Sequence, residues 1–181
     1  MRHARVWLRN GGKNMTDNFD KNRENEKEAA NAARQFLTFT VEGEEYGVDI
    51  MTVREIKGWT ETTRLPGGVE FMRGVMNLRG LIIPIFDLRT RFNRGQTEAT
   101  AKHVVIILAV GERNIGVLVD TVSDILDVAG DQIKPAPTSD AEIDAAYIRG
   151  LISLEDRMVV LLDIEHLFDT HQIEKSITQA A

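Results

Sequence analysis

The chain carries the same paragraph twice. The segment FMRGVMNLRGLIIPIFDLRTRF at residues 71–92 returns in outline as YIRGLISLEDRMVVLLDIEHLF at residues 147–168, 76 positions on. Arg73-Gly74 matches Arg149-Gly150, Leu78 matches Leu154, Asp87 matches Asp163 and Phe92 matches Phe168. Upstream, Tyr46-Gly47-Val48 matches Ile115-Gly116-Val117, and Thr52-Val53-Arg54-Glu55-Ile56 matches Thr121-Val122-Ser123-Asp124-Ile125, at an offset of 69. The order A-B-A′-B′ is that of an internal duplication, which restricts the fold to two related subdomains. Units this small are marginal alone and are expected to pack together.

The bulk properties fit that picture and exclude several functions. Of 181 residues, 43% are apolar and 28% charged, as in a globular chain. The net charge of −6 gives no electrostatic help toward nucleic acid or anionic lipid. With no cysteine there are no disulfides, thiol nucleophiles or thiolate metal sites. No run reaches the roughly 18 apolar residues of a membrane span, and MRHARVWLRNGGKNM lacks the apolar stretch of a secretory signal. The expected compartment is the cytoplasm.

Three regions are expected: a flexible arm at 1–34, a duplicated domain at 35–168 and a fraying helical tail at 169–181. Asn18 to Asn31 is polar and nearly free of large apolar residues, so burial cannot offset its ordering entropy. A transient helix is expected around Glu24 to Arg34, and Met15 opens a more ordinary start than Met1. From Phe36 the pattern is aromatic and β-branched. Phe36–Val41, a turn at Glu42–Glu45 and Tyr46–Ile50 read as a hairpin, repeated as His103–Val110, Gly111–Asn114 and Ile115–Val119. Thr52-x-x-Glu55 has capping-box spacing, repeated in weaker form as Thr121-x-x-Asp124, so a helical turn or a strand is open after Ile50. The B segments are hairpins around Arg79-Gly80 and Glu155-Asp156-Arg157, with Pro84 requiring an edge or a bulge. Short amphipathic stretches, Leu88–Phe92 and Ile164–Phe168, end each B arm. Residues 93–101 read as the link between halves, and 130–146 as a long excursion. Many short strands with glycine turns point to small barrels.

Chemistry is sparse. His3, His103, His166 and His171 lack metal-ligand spacing. There is no GxSxG, GxGxxG or phosphate-cradling loop, and Gly67-Gly68 after Leu65-Pro66 reads as a turn. Asp87 and Asp163 occupy equivalent places, which argues for helix capping done twice rather than a catalytic pair. Aromatics at 6% on alternating strand positions fit a core better than a nucleic-acid platform. No catalytic residue, metal or cofactor is therefore assigned. What remains is surface. Arg79-Gly80 is cationic where Glu155-Asp156 is anionic, and Glu55 is a possible partner for Arg79 across the fold. Ile50, Met51, Val53 and Ile56 are too many apolar residues for one short turn to bury, so they are either core or a groove for a partner's apolar helix.

Phe36-Leu37-Thr38-Phe39, Glu45–Ile50, Val53–Ile56, Arg73–Gly80 and Ile83–Arg89, continued by Gly116–Asp120, Val122–Leu126 and Ile133–Pro137, resemble the CheW family of chemotaxis coupling proteins in order and spacing. The resemblance covers about residues 35–168. It implies a mainly β fold of two intertwined five-stranded SH3-like barrels with short helices. It also implies a non-enzymatic adaptor bridging the cytoplasmic hairpin tips of methyl-accepting chemoreceptors to the regulatory domain of the histidine kinase CheA, in membrane-associated arrays. The matching partner-binding positions are Ile50, Val53, Glu55, Arg79 with Gly80, Val104 and Val122. With no receiver-like segment after residue 168, the scaffold carrying a fused receiver is disfavoured. CheW-like scaffolds of twitching, gliding or other outputs are the alternative.

Overall fold

The computed structural model describes residues 33–136 and 145–168. The expected arm lies outside the described residues up to residue 32, as do the candidate start at Met15, the tail at 169–181 and the centre of the 130–146 excursion. The first strand begins at Arg34, so the last expected arm residue already belongs to the sheet.

Eleven strands are described, in chain order β1 (Arg34–Val41), β2 (Glu44–Asp49), β3 (Val53–Gly58), β4 (Met72–Leu78), β5 (Leu81–Asp87), β6 (Val104–Val110), β7 (Arg113–Val119), β8 (Thr121–Val128), β9 (Ile133–Lys134), β10 (Ile148–Ser153) and β11 (Met158–Leu162). Two short helices follow the B hairpins, α1 (Leu88–Arg91) and α2 (Ile164–Leu167). One sheet has the order β8-β1-β2-β11-β10-β9 and the other β3-β6-β7-β5-β4. The repeat relation converts β3-β6-β7-β5-β4 into β8-β1-β2-β11-β10, so the two sheets are one pattern used twice. The two-residue β9 makes the first sheet six-stranded where five were expected.

The arms are exchanged. Hairpin β1–β2 does not keep its third strand, because β3 crosses and pairs with β6 (Ile56 opposite Ile106). In return β8, which follows hairpin β6–β7, crosses and pairs with β1 (Phe36 opposite Leu126). Each sheet is then completed by the B hairpin of the other copy through a parallel pairing, β2 with β11 and β5 with β7. Irregularities recur at matching places. The ladder shifts between Met72 and Gly74 and between Ile148 and Gly150, and again between Val53 and Glu55 and opposite the segment Leu37–Phe39. Bulges that repeat with the duplication are inherited features that set strand bend.

The parallel seams depend on glycine. Gly47 lies opposite Leu161 and Gly116 opposite Ile85, which are equivalent pairs. A Cβ on Gly47 would stand 2.9 Å from Leu161 Cδ2, and one on Gly116 would meet Ile85 and stand 2.9 Å from Val105 Cγ1. The neighbouring side chain therefore fills the space the glycine leaves. Pro84 is accommodated in the inner strand β5 because the ladder to β7 begins only at Ile85. This meets the need for an unpaired position, although β5 itself is not an edge.

Three apolar cores result. One fills the β4–β5–β6–β7 subdomain around Ile85, Ile107 and Leu118, and another the opposite subdomain around Phe36, Val159 and Leu161. The largest lies between the sheets and takes residues from both copies, including Phe39, Tyr46, Phe86, Phe92, Leu108 and Phe168. Arg91 of α1 sits over the rings of Phe71 (4.9 Å) and Tyr147 (4.4 Å), which are repeat equivalents, and its Nε donates to Leu167 O at 3.0 Å. Leu167 is the repeat equivalent of Arg91 itself, so this arginine clamps the copies together where they meet.

Asp87 and Asp163 cap α1 and α2, accepting from Arg89 N (3.0 Å) and His166 N (3.1 Å). The copies diverge around that shared task. Asp87 is fully buried and also accepts from Thr97 N (2.8 Å) and Thr97 Oγ1 (2.7 Å), so the link at 93–101 is pinned to the core. The Gly116→Val variant is expected to lose about 2–3 kcal/mol of stability by overpacking the β5–β7 seam, read as a lower urea midpoint. An unchanged midpoint would mean that β5 does not approach β7 here.

Candidate functional site

After β2 the chain makes a 3-10 turn, Ile50–Thr52, and enters β3. Asp49 caps the turn, accepting from Met51 N at 3.0 Å, while Thr52 Oγ1 donates to Asp49 O at 2.7 Å. A helical turn after Ile50 was one of two open readings. The capping box was not correct, since Thr52 ends this turn and Glu55 lies in a strand. At the repeat position Thr121 opens β8 directly and meets Thr40 Oγ1 at 2.8 Å.

Along β3 exposure alternates, with Val53 and Glu55 half-buried and Ile56 exposed. Ile50, Val53, Val104 and Val122 are all half-buried and pack on the central core between the sheets. They form a discontinuous rim. Val53 opens β3 opposite Leu108, whereas Val104 opens β6 opposite Gly58 at the other end of the β3 ladder and opposite Val119. Val122 is the second residue of β8 and lies opposite Phe39. Core and groove readings therefore divide by residue: Ile50 and Val53 contribute to the core from its edge, while Met51 (79% exposed) and Ile56 (46% exposed) face outward.

Glu55 and Arg79 do meet. Arg79 Nη2 lies 3.2 Å from both Glu55 Oε1 and Glu55 Oε2. Glu55 is on β3 and Arg79 is in the β4–β5 turn, and β3 and β4 are the two edges of that sheet. The pair thus ties the open edges together. Its energy is small, on the order of 0–1 kcal/mol for an exposed pair, because the Arg79 side chain remains 79% exposed. The guanidinium is available to a partner while its position is held.

The turn bears a backbone cost. Arg79 has φ 53° and Gly80 φ 89°, a two-residue loop with both residues left-handed, and Gly80 N donates to Asn77 Oδ1 at 2.8 Å. Arginine is an uncommon choice there. The equivalent turn in the second copy has no left-handed residue, and Leu154 N donates to Arg157 O at 2.8 Å. The equivalent of Glu55 is Asp124 and the equivalent of Arg79 is Glu155, so that subdomain has two acids where this one has an ion pair.

Sequence reasoning did not reach several neighbours. Arg149 Nη1 approaches Asp49 Oδ2 at 3.6 Å, linking the β10 bulge to the turn cap. A cleft of about 410 Å³ beside the turn is lined by Arg34, Gln35, Asp49, Ile50, Met51 and Asp127. Asp163 is held below the usual carboxylate range; burial pushes it up, but hydrogen bonds and charge from His166 outweigh that. Glu44 is likewise lowered, chiefly by the Tyr46 hydroxyl that donates to it, against an opposing burial effect and with further help from Arg94. Neither acid sits in a reactive constellation. Among the described residues no group of three His, Asp or Glu side chains converges as a metal site, and no helix is long and apolar enough to cross a membrane.

The site is thus a half-buried apolar rim beside a surface ion pair, carried on exchanged β subdomains. A family model described as the CheW-like domain matches residues 35–172. The chain is 42% identical to the chemotaxis protein CheW of Klebsiella aerogenes over 140 residues, covering 77% of this chain and 84% of that protein. It is 29% identical to the chemotaxis protein CheW of Bacillus subtilis, covering 81% and 94%. Among solved structures, the scaffolding protein TtCheW of Thermoanaerobacter tengcongensis superposes with a TM-score of 0.70 at 30% identity, covering 77% of this chain and 90% of that one. The chain belongs to the CheW-like family, and its subdomains are intertwined SH3-like barrels.

Replacing Arg79 by Asn, which tolerates the left-handed region, is expected to leave stability unchanged or raise it by up to about 1 kcal/mol. Urea unfolding checks this. A clear loss of stability would mean that the Glu55 pair outweighs the backbone cost.

Proposed function

We propose that this chain is a non-enzymatic adaptor that couples methyl-accepting chemoreceptors to a CheA-type histidine kinase and supports their assembly in membrane-associated arrays. The observation that carries the proposal is the Arg79–Glu55 pair. A mostly exposed arginine stands in an unfavourable backbone conformation and meets a carboxylate on the other edge of the same sheet, on the strand that Val53 of the half-buried apolar rim opens. Strain kept at a surface position points to a use for that position outside the fold. The rim at Ile50, Val53, Val104 and Val122 has the chemistry of a seat for an apolar helix. Arg79 with Gly80 and Glu55 supplies the polar contact that orients the partner.

Such a protein acts by linkage. Receptor states that contact the rim differently shift the kinase equilibrium by their difference in binding free energy, and by nothing else. A rigid junction suits this role, because a soft one would absorb the difference.

Reversing the charge with Arg79→Glu is expected to keep the circular dichroism spectrum and lower receptor-dependent kinase stimulation about tenfold or more in a reconstituted assay, in line with loss of a buried interfacial charge contact. Val53→Asp is expected to abolish co-sedimentation with a receptor hairpin fragment. Full kinase stimulation by a folded Arg79→Glu variant would overturn the assignment of Arg79. An unfolded Val53→Asp product would assign that residue to the core instead.

A further inference from the structure

We propose that Met51 is an oxidation site through which peroxide-type oxidants weaken partner binding; this rests on the reading of the neighbouring apolar rim as a partner seat. Met51 is 79% exposed, more than any other large apolar side chain among the described residues. It stands between Ile50 and Thr52-Val53, at the turn that leads from one sheet into the other. Its exposure is imposed by the backbone. Met51 N donates to Asp49 Oδ1 and Thr52 Oγ1 donates to Asp49 O, so the 3-10 turn is closed from both sides and Met51 faces outward. Asp49 is itself held by Arg149 at 3.6 Å.

An exposed thioether in a chain without cysteine is the most readily oxidised side chain of the site. The sulfur lone pair attacks one peroxide oxygen, the O–O bond breaks and an S–O bond forms. The departing hydroxide takes the proton of the new S–OH group and leaves as water, giving the neutral sulfoxide, so sulfur loses two electrons and peroxide gains them. An apolar, adaptable contact then becomes a polar sulfoxide, which a partner's apolar helix must desolvate. Met76 is buried and Met72 half-buried, so both are protected. Met158 is 55% exposed, but it sits on β11 opposite Ser153 rather than on the turn, and serves as an internal comparison.

The experiment treats the full chain with hydrogen peroxide, quantifies each methionine peptide by mass spectrometry and measures binding to a receptor hairpin fragment. The peptide carrying Met51 is expected to gain one oxygen faster than those carrying Met72 and Met76. Binding is expected to weaken about tenfold, as for loss of one apolar anchor, and methionine sulfoxide reductase should restore it. Met51→Leu is expected to show the same affinity before and after peroxide treatment, whatever its untreated value, even while Met158 oxidises. The inference is overturned if Met51 oxidises no faster than Met76, or if peroxide weakens Met51→Leu as much as the parent chain. Failure of the untreated chain to bind the fragment would instead overturn the adaptor reading, and with it the functional consequence, while the oxidation order at Met51 is read independently.

Discussion

Everything in this structure follows from the exchange of β3 and β8. Each strand leaves the hairpin that precedes it and completes the other sheet, β3 beside β6 and β8 beside β1. Neither sheet can reach its full width without the other copy. The apolar faces that remain are buried against each other, which makes the core between the sheets larger than either subdomain core. For two units each too small to bury much surface alone, this solves the problem of scale without disulfides. Glycines at 47 and 116 permit it, because the parallel seams place Leu161 and Ile85 where a side chain would stand.

The candidate site is a consequence of the same exchange. The crossover between β2 and β3 produces the Asp49-capped turn, presents Ile50 and Val53 at the margin of the central core, and delivers Glu55 to the edge that Arg79 faces. The duplication then allows the two copies to differ where they need not match. Arg79 pairs with Glu55 in one subdomain, whereas Glu155 and Asp124 stand at the equivalent positions of the other. For the proposed adaptor, such differences between the copies are where specificity resides. The strained Arg79 turn is tied to β3 through Glu55, and the exposed Met51 lies in the turn that precedes the same strand.

Much of this was legible in the sequence, for physical reasons. Repeated spacing revealed the duplication, alternation revealed the hairpins, and the matched Asp87 and Asp163 revealed capping by their equivalence. The residues alone offered Glu55 as a partner for Arg79 across the fold, and the two side chains stand 3.2 Å apart. The strand exchange was not readable from pattern alone. Val53–Gly58 carries no mark that its ladder partner is β6 rather than β2, since partner choice is a long-range property. Thr97 read as part of a polar link because its burial depends on Asp87, ten residues away. The split between half-buried Val53 and exposed Met51 was hidden for a similar reason: both are apolar, and only the turn geometry separates them.

The exchange makes a direct thermodynamic claim, that the two subdomains open together. Native-state hydrogen exchange under increasing urea measures it strand by strand. The slowest amides of β1–β2 and of β6–β7 are predicted to converge on one opening free energy with one urea dependence. Two separate isotherms, with one hairpin exchanging globally while the other stays protected, would contradict the intertwined architecture on which the proposed adaptor role rests.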